Sequence, residues 1–142
     1  IGKMTFSYSL NDSEHPALDY LANQFNAGKR IILLTGDLGA GKTTFVKHFL
    51  NSYLKEPIEV DSPTFSIVNT YASEGRSFHH FDLYRLDSLE EIEDIGLMEY
   101  LESGSPCFIE WPEKIAEFLP AEQVIHLSIS VSSPQCREYY FS

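Results

Sequence analysis

Residues 30–50 read RIILLTGDLGAGKTTFVKHFL, and the order of elements within this stretch decides the fold. Ile31, Ile32, Leu33 and Leu34 run without alternation, which suits a strand buried on both faces of a parallel sheet. Gly36–Thr43 then matches the eight-residue Walker A pattern, Gly-x4-Gly-Lys-Thr. From about Lys42 to Leu54, Phe45, Val46, Phe49 and Leu50 recur at helical spacing. Strand, glycine-rich loop and helix in this order make a phosphate cradle. The glycines let backbone N–H groups converge where a β-carbon would obstruct, and the helix adds the positive end of its dipole.

The chemistry implied is binding of ATP or ADP with magnesium, followed by hydrolysis of ATP. Gly36, Asp37, Leu38, Gly39, Ala40, Gly41, Lys42, Thr43 and the adjoining Thr44 are the expected nucleotide contacts. Lys42 places a charge on the β- and γ-phosphates, and the Thr43 hydroxyl reaches the metal. Such a loop needs a carboxylate near the metal. Glu110 directly follows the apolar run Cys107-Phe108-Ile109, so it fits a strand-end acid that orients the attacking water or holds magnesium through water. Asp82, in Phe78-His79-His80-Phe81-Asp82-Leu83-Tyr84-Arg85, is either a metal ligand or the partner of Arg85 or a histidine. His79 and His80 alternate across a strand, so both cannot face one site. Thr64, in Ser62-Pro63-Thr64-Phe65, either senses the γ-phosphate in a switch loop or simply starts a strand after a proline turn. Trp111 follows Glu110 where ligands collect beyond the carboxyl ends of strands. It is read as a contact of the nucleotide, the metal site or a partner, with core packing as the alternative.

Outward from the loop, Met4–Leu10 alternates as a strand with one buried face, and Asn11-Asp12-Ser13 offers caps for a helix carrying Leu18, Leu21, Ala22 and Phe25. Phe65–Tyr71 and Phe78–Leu86 read as a hairpin turning at Glu74-Gly75. A capping box at Ser88–Glu91 starts an acidic helix, and Asp94–Leu101 holds a second one, broken at Gly96. Pro106–Glu110 is a buried strand. Glu113–Leu119 reads as a short helix between Pro112 and Pro120, and Val124–Val131 and Arg137–Phe141 close the chain as two strands.

Residues 1–142 fit one domain, with Met4 read as the natural start and residues 1–3 outside it. The 43% hydrophobic and 13% aromatic content is that of a folded chain. No apolar run spans a bilayer and no signal peptide is visible, so a cytoplasmic protein without membrane contact is expected. Cys107 and Cys136 form no disulfide or metal pattern. The net charge of −11, with arginines scattered at 30, 76, 85 and 137, opposes direct binding of nucleic acid. No Asn-Lys-x-Asp element supports a GTPase. A small-molecule kinase and a non-catalytic nucleotide-dependent switch are the competing classes.

Gly-Asp-Leu-Gly-Ala-Gly-Lys-Thr-Thr at 36–44, Ser-Pro-Thr-Phe at 62–65, His-Phe-Asp-Leu-Tyr-Arg at 80–85 and Ile-Glu-Trp-Pro-Glu at 109–113 occur in that order. The set closely resembles the TsaE (YjeE) family of bacterial ATPases of tRNA threonylcarbamoyladenosine biosynthesis. The resemblance implies a single P-loop NTPase-like α/β domain with a mixed parallel and antiparallel sheet flanked by helices. It implies weak intrinsic ATPase activity, and action with TsaB and TsaD, through which alone tRNA is reached. It also implies Thr43, Asp82 and Glu110 at the magnesium site, Thr64 in a switch loop, and a basic residue near the end, for which Arg137 is the candidate.

Overall fold

The computed structural model describes residues 3–142 except 10, 11, 13, 38, 55–66 and 74. Seven strands form one mixed sheet: β1 (Met4–Ser9), β2 (Ile31–Thr35), β3 (Val68–Ser73), β4 (Arg76–Asp82), β5 (Cys107–Glu110), β6 (Val124–Ser133) and β7 (Cys136–Phe141). Their spatial order is β1-β7-β6-β2-β5-β4-β3. β2 lies at the centre, parallel to β5 on one side and β6 on the other, and β4 runs parallel to β5. The hairpin β3–β4 and the neighbours β6–β7 and β1–β7 are antiparallel.

The helices are α1 (Pro16–Asn26), α2 (Lys42–Leu54), α3 (Leu89–Asp94) and α4 (Leu97–Glu102). Side-chain alternation divides the core into two layers. Leu21, Phe25, Phe45, Phe49, Leu50, Ile32, Leu34, Phe78 and Phe108 close the side covered by α1 and α2. Ile31, Leu33, Phe81, Ile109, Ile92 and Leu97 close the side covered by α3 and α4. The unalternating run of β2 thus serves both cores, as expected for the strand buried on both faces.

Several local expectations are corrected. The strand expected to reach Leu86 ends at Asp82, because the Asp82 carboxylate accepts the Tyr84 amide at 3.0 Å and turns the chain. Glu113–Leu119 forms no α-helix; only a 3₁₀ turn at Ala116–Phe118 appears, since the segment between two prolines is too short to propagate one. α1 starts at Pro16 rather than on a side-chain cap, and Asp12 instead accepts the Ser9 amide at 2.9 Å. β1 is an edge strand whose Met4 is exposed and whose Phe6 and Tyr8 are half-buried, so its alternation marks a partial face only. Half of the capping box forms: the Glu91 amide donates to Ser88 Oγ at 3.2 Å, while the Glu91 carboxylate accepts the Asp87 amide at 3.3 Å rather than that of Ser88. Gly96, at φ 78°, breaks α3 from α4.

Candidate active site

The carboxyl ends of β2, β5 and β4 lie side by side, and the loop after β2 crosses that edge into α2. Gly36 must be glycine: it sits at φ +151°, and a β-carbon there would lie 2.6 Å from the Ile129 carbonyl oxygen of β6. The loop is therefore pressed against the sheet before it turns through Gly39 and Gly41, both at positive φ. The Ala40 amide donates to the Asp37 carbonyl at 3.0 Å inside the turn.

Lys42 opens α2 and is only 6% exposed. Its ammonium donates to the Gly36 carbonyl at 2.5 Å and lies 4.2 Å above the centre of the Trp111 ring. Both contacts fix a buried cation that no carboxylate among the described residues pairs with directly; the indole face supplies the compensating negative quadrupole. Trp111 itself holds φ 58°, the left-handed region that a bulky residue enters at about 1–3 kcal/mol of strain. The turn delivers the indole over the loop, where it also meets Tyr84 with ring centres 4.8 Å apart.

The acids arrive by register. Asp82 on β4 stands opposite Glu110 on β5, and both strands run parallel toward the loop. Glu110 is 4% exposed; its Oε2 accepts a hydrogen bond from Thr43 Oγ1 at 3.1 Å and lies 2.5 Å from His80 Nε2. Donating its proton to Glu110 leaves the Thr43 oxygen lone pairs free for a cation. Burial, and then the charge of Glu110, push the Asp82 carboxyl above its ordinary value, against the opposing pull of the Tyr84 amide, His80 and Lys42.

Gly39, Gly41, Lys42, Thr43, Thr44, Asp82, Glu110 and Trp111 line one cavity of about 270 Å³. A larger depression of about 420 Å³ involves Tyr20, Lys29, His126 and Ser142, but it collects no comparable set of loop amides and acids. Not every expected contact reaches the cavity. Gly36, Asp37 and Ala40 lie on the loop's β6 side with Ser128–Val131. Arg137 grips the loop from behind, its Nε donating to the Ala40 carbonyl at 3.1 Å and Nη1 to the Ser133, Pro134 and Cys136 carbonyls. Leu38 and Thr64, with the rest of Ser62–Phe65, fall outside the described residues.

The expected set omitted His80. It is fully buried on the same face as Asp82, whereas His79 points to the other core layer, bonded to Thr70 at 2.9 Å and edge-on to Tyr100. The His79–His80 alternation was legible; that His80 lies beside Glu110 follows from β4 pairing with β5, which no local pattern announces. Among the described residues no three His, Cys, Asp or Glu converge as an all-protein metal cage. Magnesium, bound through one or two carboxylates and phosphate oxygens, needs no such cage.

A family model described as threonylcarbamoyl adenosine biosynthesis protein TsaE matches residues 11–139. The chain belongs to the TsaE family. A Rickettsia felis protein named tRNA threonylcarbamoyladenosine biosynthesis protein TsaE is 40% identical over 109 residues, covering 77% of this chain and 63% of that one. Relatives of the same name from Haemophilus influenzae and Bacillus subtilis are 41% and 39% identical, over 67% and 82% of this chain and 60% and 72% of theirs. The chain thus spans about three fifths of the first two relatives. The crystal structure of Bacillus subtilis YdiB superposes with a TM-score of 0.66 at 28% identity, covering 99% of this chain and 84% of that one. The mixed-sheet α/β fold expected for a TsaE protein is the fold observed. No helix among the described residues is long and apolar enough to cross a membrane.

Proposed function

We propose that this TsaE-family chain binds ATP with magnesium and hydrolyses it slowly, in support of threonylcarbamoyladenosine modification of tRNA together with TsaB and TsaD in the cytoplasm. The observation that carries the ATPase reading is the meeting of Lys42, Thr43, Asp82, Glu110 and Trp111 around one cavity at the carboxyl ends of the parallel strands β2, β5 and β4. The pathway and its partners rest on the family and on the relatives' names.

In this reading the loop amides and Lys42 hold the phosphates, and Arg137 keeps the loop's backbone in place through Ala40. Thr43, Asp82 and Glu110 fit a hard cation: they are oxygen donors, two of them carboxylates, beside a loop shaped for phosphate. Magnesium bound there supplies charge neutralisation on the phosphate oxygens. Glu110 orients the attacking water, and Trp111 walls the cavity and helps exclude bulk solvent. Thr64 senses the γ-phosphate. The net charge of −11 argues that tRNA is reached through the protein partners.

The test pairs single-turnover phosphate release with nucleotide titration for Glu110→Gln. Hydrolysis should fall by about tenfold or more while the ATP dissociation constant moves much less. Equal loss of both would make Glu110 a binding residue. Phosphate release absent from the wild type would favour a switch that only binds ATP.

A further inference from the structure

The hydrogen bonding around Glu110 specifies more than its identity. His80 is fully enclosed, and its Nε2 lies 2.5 Å from Glu110 Oε2. With the Glu110 oxygen as acceptor, the proton of this bond sits on Nε2. The other ring nitrogen, Nδ1, is buried with no hydrogen-bond partner among the described residues. A proton on Nδ1 would be an orphaned buried donor, whereas a lone pair there is less costly. Both ends of the ring therefore select one tautomer, Nε2–H.

The strand geometry holds that donor rigidly. His80 stands opposite Phe108, two residues before Glu110 on the neighbouring strand, and Phe78 and Phe108 belong to the closed aromatic layer under α2. The Thr43 hydroxyl donates to the same carboxylate oxygen at 3.1 Å. Oε2 is thus committed to two protein donors, while Glu110 still lines the cavity.

We propose that His80 is a positioning residue that, as a fixed Nε2–H donor, locks the Glu110 carboxylate in one rotamer and reserves its second oxygen for the groups reacting in the cavity. Its catalytic meaning rests on the ATPase reading above. A packing residue would need only the ring's volume. A positioning residue needs the N–H at the Nε2 place, which glutamine reproduces and phenylalanine does not.

The first measurement needs no turnover. Long-range ¹⁵N–¹H NMR of the imidazoles in the wild-type chain should show His80 with a protonated, slowly exchanging Nε2 and an unprotonated Nδ1. An Nδ1–H form, or rapid averaging of the two, overturns the proposal. The second compares His80→Phe, His80→Gln and, as a control on the opposite face, His79→Phe. In His80→Phe, kcat for ATP should fall about tenfold or more at a melting temperature close to wild type, with the ADP dissociation constant changing less than about threefold. His80→Gln should recover most of the lost kcat, and His79→Phe should leave kcat as it was. Equal kcat in His80→Phe and His80→Gln, at any value, overturns the donor role. A wild type that hydrolyses no ATP refutes the ATPase reading, whereas the wrong tautomer refutes the positioning role alone.

Discussion

Lys42→Met removes the ammonium and keeps an unbranched apolar stem beneath the indole of Trp111. In the structure that ammonium makes a 2.5 Å bond to the Gly36 carbonyl and a 4.2 Å contact with the Trp111 ring, in a residue 6% exposed. For folding, the lost contacts are opposed by relief from burying a charge, so the net change is small. Each 1 kcal/mol would move the melting temperature of a chain this size by about 2–4 °C, and a shift within that range is expected. Nucleotide binding has no such compensation. Losing one charge-assisted hydrogen bond to phosphate removes about 1.5–3 kcal/mol, which weakens binding about 10- to 150-fold. Trp111 is the only tryptophan, so its emission reports this site alone. Titration of the wild type with ADP and magnesium should change the emission saturably, and Lys42→Met should shift the midpoint upward by that factor. A folded Lys42→Met chain with an unchanged midpoint would show that the cavity beside Trp111 does not bind phosphate. A flat wild-type titration, together with a large stability loss in Trp111→Ala, would make Trp111 a core residue.

Asp82 carries a raised carboxyl value, so the folded chain binds its proton more tightly than the unfolded one and Asp82 lowers stability as pH rises through that range. Asp82→Asn should therefore melt higher at neutral pH and lose the advantage below about pH 4, while ATP hydrolysis falls; a variant that melts lower at pH 7 refutes this. His15 behaves oppositely. Burial, and then neighbouring His48, hold it down at about 4 despite Asp19, so its contribution is full above pH 6.5 and disappears as pH falls toward 4. Thermal melts of His15→Phe between those values should show a shallower acid decline than wild type; parallel curves would count against it. Gly36→Ala forces a β-carbon to within 2.6 Å of the Ile129 carbonyl, which must give way by several tenths of an ångström at an unfavourable φ. A loss of roughly 2–4 kcal/mol and much weaker nucleotide binding are expected, and a Gly36→Ala chain as stable as wild type would show the loop is not pressed on β6.

The central elements were legible because their signals are local. The β2 run, the Walker A spacing and the α2 stripe each lie within a dozen residues, and the capping box at Ser88 is a four-residue pattern. What escaped depends on neighbours distant in sequence. Asp82 reads equally as a metal ligand or as the partner of Arg85 or a histidine, and only the pairing of β4 with β5 sets it opposite Glu110. The same pairing creates the His80–Glu110 contact across thirty residues of chain. Arg137 was expected at the nucleotide, yet its guanidinium is occupied by four backbone carbonyls behind the loop. The helix expected after Pro112 failed for a different reason: favourable end signals cannot compensate for the few residues between two prolines.

The sheet order also has a temporal meaning. Among the described residues β1, the first strand, pairs with β7, the last, and β7 also supplies the arginine that clasps the loop after β2. A ribosome making the segment from its amino end releases β1 unpaired and the loop without its rear clasp. Both wait until β7 clears the exit tunnel. Until then the nascent chain has an open strand edge of the kind that invites mispairing. The loop after β2 therefore gains its rear clasp only after β7 is made.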